Sequence, residues 1–235
     1  MVDASLDLWL VRVDQIEGDG RVDGCLDQAE TARASRFRFR HDASRFAACR
    51  GALRHILSHY TEERPHTVRL AYGAAGKPFL PDHRSLRFNL THAGNLLLIG
   101  VSRSGEVGVD VERLQPDSVV EETSTLVLSR PEREMMAGLS GRARGEWFAR
   151  LWTRKEAYIK ADGRGMGLKL DLIDVMTAPD RVRLRREDSA RWLASPRWSL
   201  RSLTVEAGYA AAAAVEGHDW RLDVIEWPGA VRLAG

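Results

Sequence analysis

The sequence has few cysteines and no long apolar run. Its 235 residues include only two cysteines, Cys25 and Cys49, and neither has a His or Cys neighbour at the spacing of metal ligands. We therefore expect two reduced structural thiols. The first residues place acids around a short apolar run and lack the basic start of a secretory signal, and no later run reaches the length of a membrane span. The sequence accordingly predicts a cytoplasmic protein that does not associate with membranes.

Lysine is also scarce, and the net charge is small. Of the 35 basic residues 31 are arginines and only four are lysines, namely Lys77, Lys155, Lys160 and Lys169. Because a compact ammonium and a planar guanidinium are not interchangeable at a tight site, each lysine is a candidate for such a site. A formal charge of +2 is too mild for a dedicated nucleic-acid-binding protein, so we expect no nucleic-acid partner. It is compatible with an anionic ligand.

Hydrophobic residues make up 44% of the chain, which is enough for an ordinary globular core. Their periodicity predicts strands and helices in two successive sets, separated by a boundary at 102–106. The first set comprises a strand at 7–13, a long helix at 26–60 and two strands within 86–102. The second set comprises a strand from 107, helices near 129–139 and 145–161, and strands that include 203–217.

A weak internal repeat completes the fold prediction. Residues 90–105 and 203–217 both place Ala-Gly before a small apolar strand. We therefore expect an α+β protein with two similar halves in a pseudo-twofold arrangement, each a small antiparallel sheet packed on a long helix. The predicted halves are residues 1–103 and 104–235. A ligand pocket is expected in the cleft between them, and one chain that supplies both halves predicts a monomer.

Two acids alternate in the segment GVDVERL. In a strand, Asp110 and Glu112 point to the same side and repel each other unless a cation lies between them. The segment 146–165 has the apolar stripe of a helix, with Glu156 at its edge and Lys160 one turn later on the same side. Three carboxylates beside an ammonium group indicate a site for Mg²⁺, which takes oxygen ligands and shares them with phosphates. Taken singly, these residues could be a solvated strand face and a surface ion pair.

Further basic residues accompany these acids. Lys155 falls inside the apolar stripe, so we expect it to meet an anion, with the two strand acids as the obvious candidates. Lys77 lies in a Gly-Pro loop, and Thr91 and His92 precede Ala-Gly at a strand end, where they could surround an anion, although a lone His is more often structural. Four arginines could form a phosphate-binding face or the solvated side of a helix: Arg33, Arg36, Arg40 and Arg45.

Four segments together resemble the surfactin-type 4'-phosphopantetheinyl transferases. They are, in order, GKP (76–78), FNLTH (88–92), GVDVE (108–112) and WTRKEAYIKADGRG (152–165). The resemblance covers about residues 33–167. It implies transfer of the phosphopantetheine arm of coenzyme A onto a serine of an apo acyl or peptidyl carrier protein, with release of adenosine 3',5'-bisphosphate. It also implies two similar α+β halves within one chain.

The resemblance assigns roles to individual residues. It implies that Asp110, Glu112 and Glu156 bind Mg²⁺ and that Glu156 is also the base, so that the catalytic residues are Glu156, Lys160 and Asp110. It implies that the phosphates and the adenosine end of coenzyme A are held by Arg33, Lys77, Thr91, His92 and Lys160. From the arginine-rich face we add Arg45 to the residues that bind coenzyme A.

The sequence departs from the family pattern at three places. Thr91 stands where many members have Ser, and a hydroxyl is retained. Glu30 stands where some members have a basic residue one turn before Arg33, which predicts fewer phosphate contacts there. Residues 115–132 differ from the more basic, aromatic segment with which the family meets its carrier. The carrier class, whether of fatty-acid, polyketide or nonribosomal-peptide synthesis, is therefore left open.

Two other function classes compete with the transferase. An Mg²⁺-dependent nuclease or phosphohydrolase would also use clustered acids, but it usually needs further carboxylates for a second metal, and the motif-like segments supply none. A nucleic-acid-binding module built on the Arg-rich helix would leave the three acids without a role. The combined motifs favour the transferase.

Overall fold

The computed structural model describes residues 5–165, 168–176 and 180–227 as a mixed α+β fold, which confirms the predicted class. The strands are β1 (Ser5–Arg12), β2 (Ala71–Tyr72), β3 (Pro78–Phe79), β4 (Arg87–Ala93), β5 (Leu96–Ser102), β6 (Val107–Arg113), β7 (Ile173–Asp174), β8 (Arg181–Arg185), β9 (Trp192–Leu203), β10 (Tyr209–Glu216) and β11 (Arg221–Trp227). The α-helices are α1 (Gly20–Asp23), α2 (Gln28–Ala34), α3 (Arg40–Thr61), α4 (Asp117–Val127), α5 (Arg130–Met136) and α6 (Gly141–Asp162). Short 3-10 helices cover Val13–Gln15 and Leu170–Leu172.

Most strands belong to two sheets. The first has the order β11-β1-β5-β4, and the second has the order β6-β10-β9-β8-β7 and is antiparallel. The prediction of a purely antiparallel first sheet is wrong, because β11, at the end of the described chain, pairs with β1 in parallel. The predicted boundary at 103 therefore does not separate the two sheets. Residues 1–4, 166–167, 177–179 and 228–235 of the predicted halves lie outside the described residues.

The two sheets pack face to face, and each carries a long helix on its outer face. Alternate strand residues point to opposite sides, so Ile99 of β5 lies in a core with Leu53 of α3. Its neighbour Leu98 lies in a second core with Val109 of β6, between the sheets. On the far side of the second sheet, Ala212 of β10 lies in a third core with α6. The layers therefore follow the order helix, sheet, sheet, helix.

The prediction of one continuous helix at 26–60 is wrong, because the structure has two helices there. Asp27 and Glu30 form a capping box that begins α2, each side chain accepting a hydrogen bond from the other's backbone N–H. At the other end the Ser35 hydroxyl donates to the Ala32 carbonyl, a local bond that competes with helix continuation. The chain turns before α3 begins at Arg40. The break places α2 beside α3 instead of in line with it.

The other predicted elements hold with two adjustments. The strands within 86–102 are confirmed as β4 and β5, and the helices near 129–139 and 145–161 are confirmed as α5 and α6. The segment 203–217 is not one strand but the end of β9, a turn and β10. Helix α4 falls in the stretch 115–132, where no helix was predicted. Within the described ranges, every helix is too short or too polar to cross a membrane.

Candidate active site

The candidate site lies where the edge strands of the two sheets meet. Strand β4 ends the first sheet, and β6 ends the second. The Val109 backbone N–H donates to the side-chain oxygen of Asn89 at 2.9 Å, and the Thr91 hydroxyl donates to Asp110 Oδ1 at 3.1 Å. These two bonds join the sheets directly beside Asp110.

Helix α6 reaches the same place because β6 has a glycine. A Cβ at Gly108 would lie 2.1 Å from the Ala157 carbonyl oxygen, so only glycine allows this approach. The close packing brings Lys160 to the strand, where its ammonium lies 2.5 Å from Asp110 Oδ1 and 3.1 Å from the Thr91 hydroxyl. One lysine thus connects α6, β6 and β4.

A cavity of about 980 Å³ opens beside these residues. Its basic residues come mainly from α2 and α3, its carboxylates mainly from β6 and α6, and its apolar residues include several from α6 and the segment 168–170. The basic set is Arg33, Arg45, Arg50, His92 and Lys160; the carboxylates are Asp42, Asp110, Glu112 and Glu156; the apolar set includes Trp152, Ile159, Leu168 and Leu170. The cavity therefore has anion-binding and apolar portions.

The cavity brings together all of the predicted site residues except one. Those that line it are Arg33, Arg45, Thr91, His92, Asp110, Glu112, Glu156 and Lys160. Lys77 instead lines a separate cavity of about 360 Å³. Its ammonium contacts Glu106 at 2.8 Å and the Val107 and Ala161 carbonyls at 3.1 and 3.3 Å. Lys77 therefore does not line the cavity that contains the acids, and its role in coenzyme A binding stays a prediction.

Asp110 is a poorly compensated carboxylate. It is only 2% exposed, and its Oδ2 atom is buried with no hydrogen-bond partner among the described residues. Burial raises the pKa of Asp110 from 3.8 to about 7; Lys160 opposes this rise, whereas Glu112 and Glu156 add to it. A further cation at Oδ2 would stabilise the ionised form.

The other two acids face the same cavity. Glu112 accepts a hydrogen bond from the Trp152 indole at 3.2 Å. Glu156 is half-buried, and burial raises its pKa while Lys160 lowers it and Glu112 raises it further. Across the described ranges, no group of three or more His, Cys, Asp or Glu residues is arranged so that it could hold a metal ion by itself. Mg²⁺ is usually held by one or two carboxylates, with water and substrate phosphates as its other ligands.

The basic portion of the cavity is prepared for anions. The Arg45 Nη2 atom is buried without a partner in the part of the chain that the structure describes. The Arg33 guanidinium lies 5.0 Å from the centre of the Phe46 ring, which holds it at the cavity. His92 is exposed, and partial desolvation, followed by the charges of Arg45 and Lys160, lowers its pKa. Neutral His92 can therefore donate or accept a hydrogen bond at neutral pH.

Two residues have different surroundings from those expected. Lys155 does not meet the strand acids; its ammonium pairs with Glu132 of α5 at 2.6 Å, because this face of α6 turns towards α5. Glu30 points into the protein and pairs with Arg50 at 2.8 Å and Arg54 at 2.6 Å. It therefore does not add negative charge to the cavity.

Arg50 was missed by the sequence analysis although it lines the cavity. A signal existed, because Arg50 and Arg54 lie one turn apart on the buried face of α3, where cations need acidic partners. Of the four arginines considered for a phosphate-binding face, Arg36 and Arg40 are exposed and do not line the cavity. Arg36 and Arg40 therefore belong to the solvated surface and not to a phosphate-binding face.

A cavity that combines arginines, an ammonium group and clustered carboxylates is typical of an enzyme that handles a phosphorylated substrate. Residues 106–214 match the family model of the 4'-phosphopantetheinyl transferase superfamily, and residues 21–104 match the model described as 4'-phosphopantetheinyl transferase, N-terminal. The 4'-phosphopantetheinyl transferase HetI of Nostoc sp. is 36% identical over 91% of this chain and 89% of its own. The chain belongs to the 4'-phosphopantetheinyl transferase family, and the prediction of a transferase is confirmed.

More distant relatives are also similar. The 4'-phosphopantetheinyl transferase Sfp of Bacillus subtilis is 26% identical over 82% of this chain and 83% of its own. Among solved structures, a holo-(acyl-carrier-protein) synthase from Bacillus anthracis in complex with CoA (3',5'-ADP) is 22% identical. It covers 48% of this chain and 96% of its own, with a TM-score of 0.36.

Proposed function

We propose that the protein transfers the 4'-phosphopantetheine arm of coenzyme A to a serine hydroxyl of an apo carrier protein. Adenosine 3',5'-bisphosphate leaves as the second product. The observation that carries this proposal is the joint placement of Asp110, Glu156 and Lys160 in one cavity with Arg33 and Arg45. This arrangement can bind a pyrophosphate and also accept a proton beside it.

The basic residues bind the substrate. Arg33 and Arg45 provide guanidinium groups that match phosphate geometry, and the Arg45 Nη2 atom lacks a protein acceptor within the described residues. Thr91 and His92 add a hydroxyl and an imidazole at the end of β4. Lys160, 28% exposed at its side chain, can reach a phosphate oxygen while it remains near Asp110.

Asp110, Glu112 and Glu156 are the residues that would hold Mg²⁺. The buried Asp110 Oδ2 atom, which has no partner in the described ranges, is the donor whose environment fits a cation best. When bound, the metal would offset negative charge on the pyrophosphate and on the departing bisphosphate. The protein's own contribution is a fixed set of oxygens beside a fixed ammonium group.

Glu156 acts as the general base. Its carboxylate accepts the serine proton while the serine oxygen forms a bond to the phosphorus that bears pantetheine. The bond from that phosphorus to the bridging oxygen breaks, and the bisphosphate keeps the electron pair. Burial raises the pKa of Glu156, so its carboxylate accepts a proton more readily than that of an exposed glutamate.

The proposal includes an approximate twofold relation between the halves, a monomeric state and a cytoplasmic location. Helices α3 and α6 each have 22 residues, and each packs on the outer face of one sheet, which supports an approximate twofold relation between the halves. Both halves contribute residues to the cavity, which supports a monomer. Cys25 and Cys49 are buried and form no disulfide within the described residues, which is consistent with the predicted cytoplasmic location.

The test is transfer to a carrier. The protein is incubated with coenzyme A, Mg²⁺ and apo carriers from fatty-acid, polyketide and nonribosomal-peptide synthesis, and each carrier is weighed by intact-mass spectrometry. We expect a mass increase of one phosphopantetheine on at least one carrier, abolished when the acceptor serine is replaced by Ala. Hydrolysis of coenzyme A with no carrier modified would instead support a phosphohydrolase.

A further inference from the structure

Lys155 and Glu132 form an ion pair that the proposed chemistry does not use. Both side chains are 0% exposed, and the ammonium lies 2.6 Å from the carboxylate. Burial lowers the pKa of Lys155, and the charge of Glu132 opposes this change. Desolvation of two charges largely offsets their attraction, so a buried pair is a weak source of stability. What the pair holds in place is therefore more informative than its energy.

The ammonium group ties two other segments to α6. Lys155 donates to the Val127 carbonyl at the end of α4 at 2.7 Å and to the Leu170 carbonyl at 2.8 Å. With Glu132 as the third acceptor, all three ammonium protons are used. Leu170 opens the 3-10 helix and lines the active-site cavity. Lys155 thus connects α6 directly to a cavity wall.

The carboxylate partner is equally enclosed. Glu132 accepts hydrogen bonds from the Ser129 backbone N–H at 2.8 Å and from the Val175 backbone N–H at 3.0 Å. The first of these caps α5, and the second holds the chain just beyond the 3-10 helix. The pair therefore fixes the segment 170–175 at both ends, through Leu170 and through Val175.

The wall that is held in this way is apolar. Leu168 and Leu170 line the cavity, whereas the arginines that line it come from α2 and α3. Glu156, which follows Lys155 on α6, lines the same cavity. If the arginines bind the phosphates, the less polar part of the substrate is left to the leucine wall. That part is the pantetheine arm, which adenosine 3',5'-bisphosphate lacks.

We propose that Lys155, together with Glu132, is a positioning residue that holds Leu168 and Leu170 as the wall along which the pantetheine arm lies. This inference rests on the proposed function, because it takes coenzyme A as the ligand. It predicts that the pair affects recognition of the arm and not recognition of the phosphates.

The experiment compares two ligands on three variants. Calorimetry in Mg²⁺ measures the dissociation constants of coenzyme A and of adenosine 3',5'-bisphosphate for the wild type, for Lys155→Met and for Lys155→Met/Glu132→Gln. The double variant removes both charges, so it remains informative if the single variant folds poorly. The matched control is Arg142→Met/Glu146→Gln, which removes an exposed ion pair from the same helix, with 2.6 Å between the Arg142 and Glu146 side chains.

We expect coenzyme A to bind about tenfold more weakly to both Lys155 variants, equivalent to about 1.4 kcal/mol, with bisphosphate binding changed less than about twofold. The ratio of the two dissociation constants should stay at its wild-type value in Arg142→Met/Glu146→Gln. Equal weakening of both ligands, or no change in either, would overturn the proposal. Failure of the wild type to bind either ligand would refute the proposed function instead.

A second measurement needs no variant. Hydrogen exchange of the wild-type protein is followed at the backbone amides of residues 168–170, with coenzyme A or with adenosine 3',5'-bisphosphate at saturation. Coenzyme A should slow exchange there, whereas the bisphosphate should not. Equal protection by the two ligands would show that the wall does not contact the arm.

Discussion

Replacement of Asp110 by Asn tests whether the ionised carboxylate of Asp110 lowers the free energy of unfolding. One of its oxygens contacts Lys160 and Thr91, and the other is buried with no hydrogen-bond partner among the described residues. Burial, with smaller contributions from Glu112 and Glu156, raises the pKa of Asp110 from 3.8 to about 7 against the opposing charge of Lys160. The folded protein therefore retains a proton that the unfolded chain releases above pH 4.

The magnitude follows from these two pKa values. As the pH rises from 3.8 to about 7, the unfolded state binds fewer protons than the folded state, so the free energy of unfolding falls. At about 1.4 kcal/mol for each pH unit, the loss reaches about 4 kcal/mol above pH 7. The Asp110→Asn variant has no carboxylate to ionise. Lys160 loses its partner but is 28% exposed, so water can solvate it.

We therefore expect Asp110→Asn to be more stable than the wild type by about 2–4 kcal/mol at pH 8 without divalent metal, with little difference at pH 4. Urea unfolding at both pH values measures this, and added Mg²⁺ should stabilise the wild type only. The control is Asp223→Asn, whose side chain is 40% exposed and pairs with Arg221. A variant less stable than the wild type at pH 8, or one equally stabilised by Mg²⁺, would refute the reasoning.

Three further predictions concern the base, the helix contact and the cavity thiol. Glu156→Gln should lower the single-turnover transfer rate by about 10²–10⁴-fold, while calorimetry shows that the affinity for coenzyme A is retained. Its control, Glu146→Gln on the exposed face of α6, should change neither the rate nor the affinity. A parallel loss of coenzyme A binding in Glu156→Gln would make Glu156 chiefly a metal ligand. Gly108→Ala should destabilise the protein by about 1–3 kcal/mol or more, because the new Cβ would lie 2.1 Å from the Ala157 oxygen and 2.3 Å from the Ala161 nitrogen. Gly138→Ala, which meets nothing within 4 Å, is its control, and equal urea midpoints would contradict the prediction. Burial raises the pKa of Cys49 to about 11, so iodoacetamide at pH 8 should label this thiol slowly in the native protein and quickly in urea. Peptide mass measures the labelling, and fast labelling of the native protein would show that the thiol is accessible and ionised.

Local patterns predicted the parts of the site that lie on single elements. Asp110 and Glu112 share a face because side chains two apart in a strand point the same way, and Glu156 and Lys160 share a face because a helix repeats every 3.6 residues. These relations depend only on spacing. The same reasoning located β4, β5, α5 and α6, whose apolar residues recur with a clear period. It overlooked the capping box of Asp27 and Glu30, a local signal that marks the start of a separate α2.

The sequence by itself therefore determined the family and the α+β class, and it predicted the acids that line the cavity, since these depend on the order and spacing of residues. Tertiary structure decided which charges meet. Lys155 pairs with Glu132, although the sequence indicated the strand acids as its partners, and Lys77 pairs with Glu106 outside the main cavity. Similarly, β11 joins the first sheet in parallel with β1, some 200 residues earlier in the chain. Such pairings depend on how whole sheets and helices pack. The spacing of residues along the chain does not predict them, because many acids are available to each lysine and each edge strand can accept several partners.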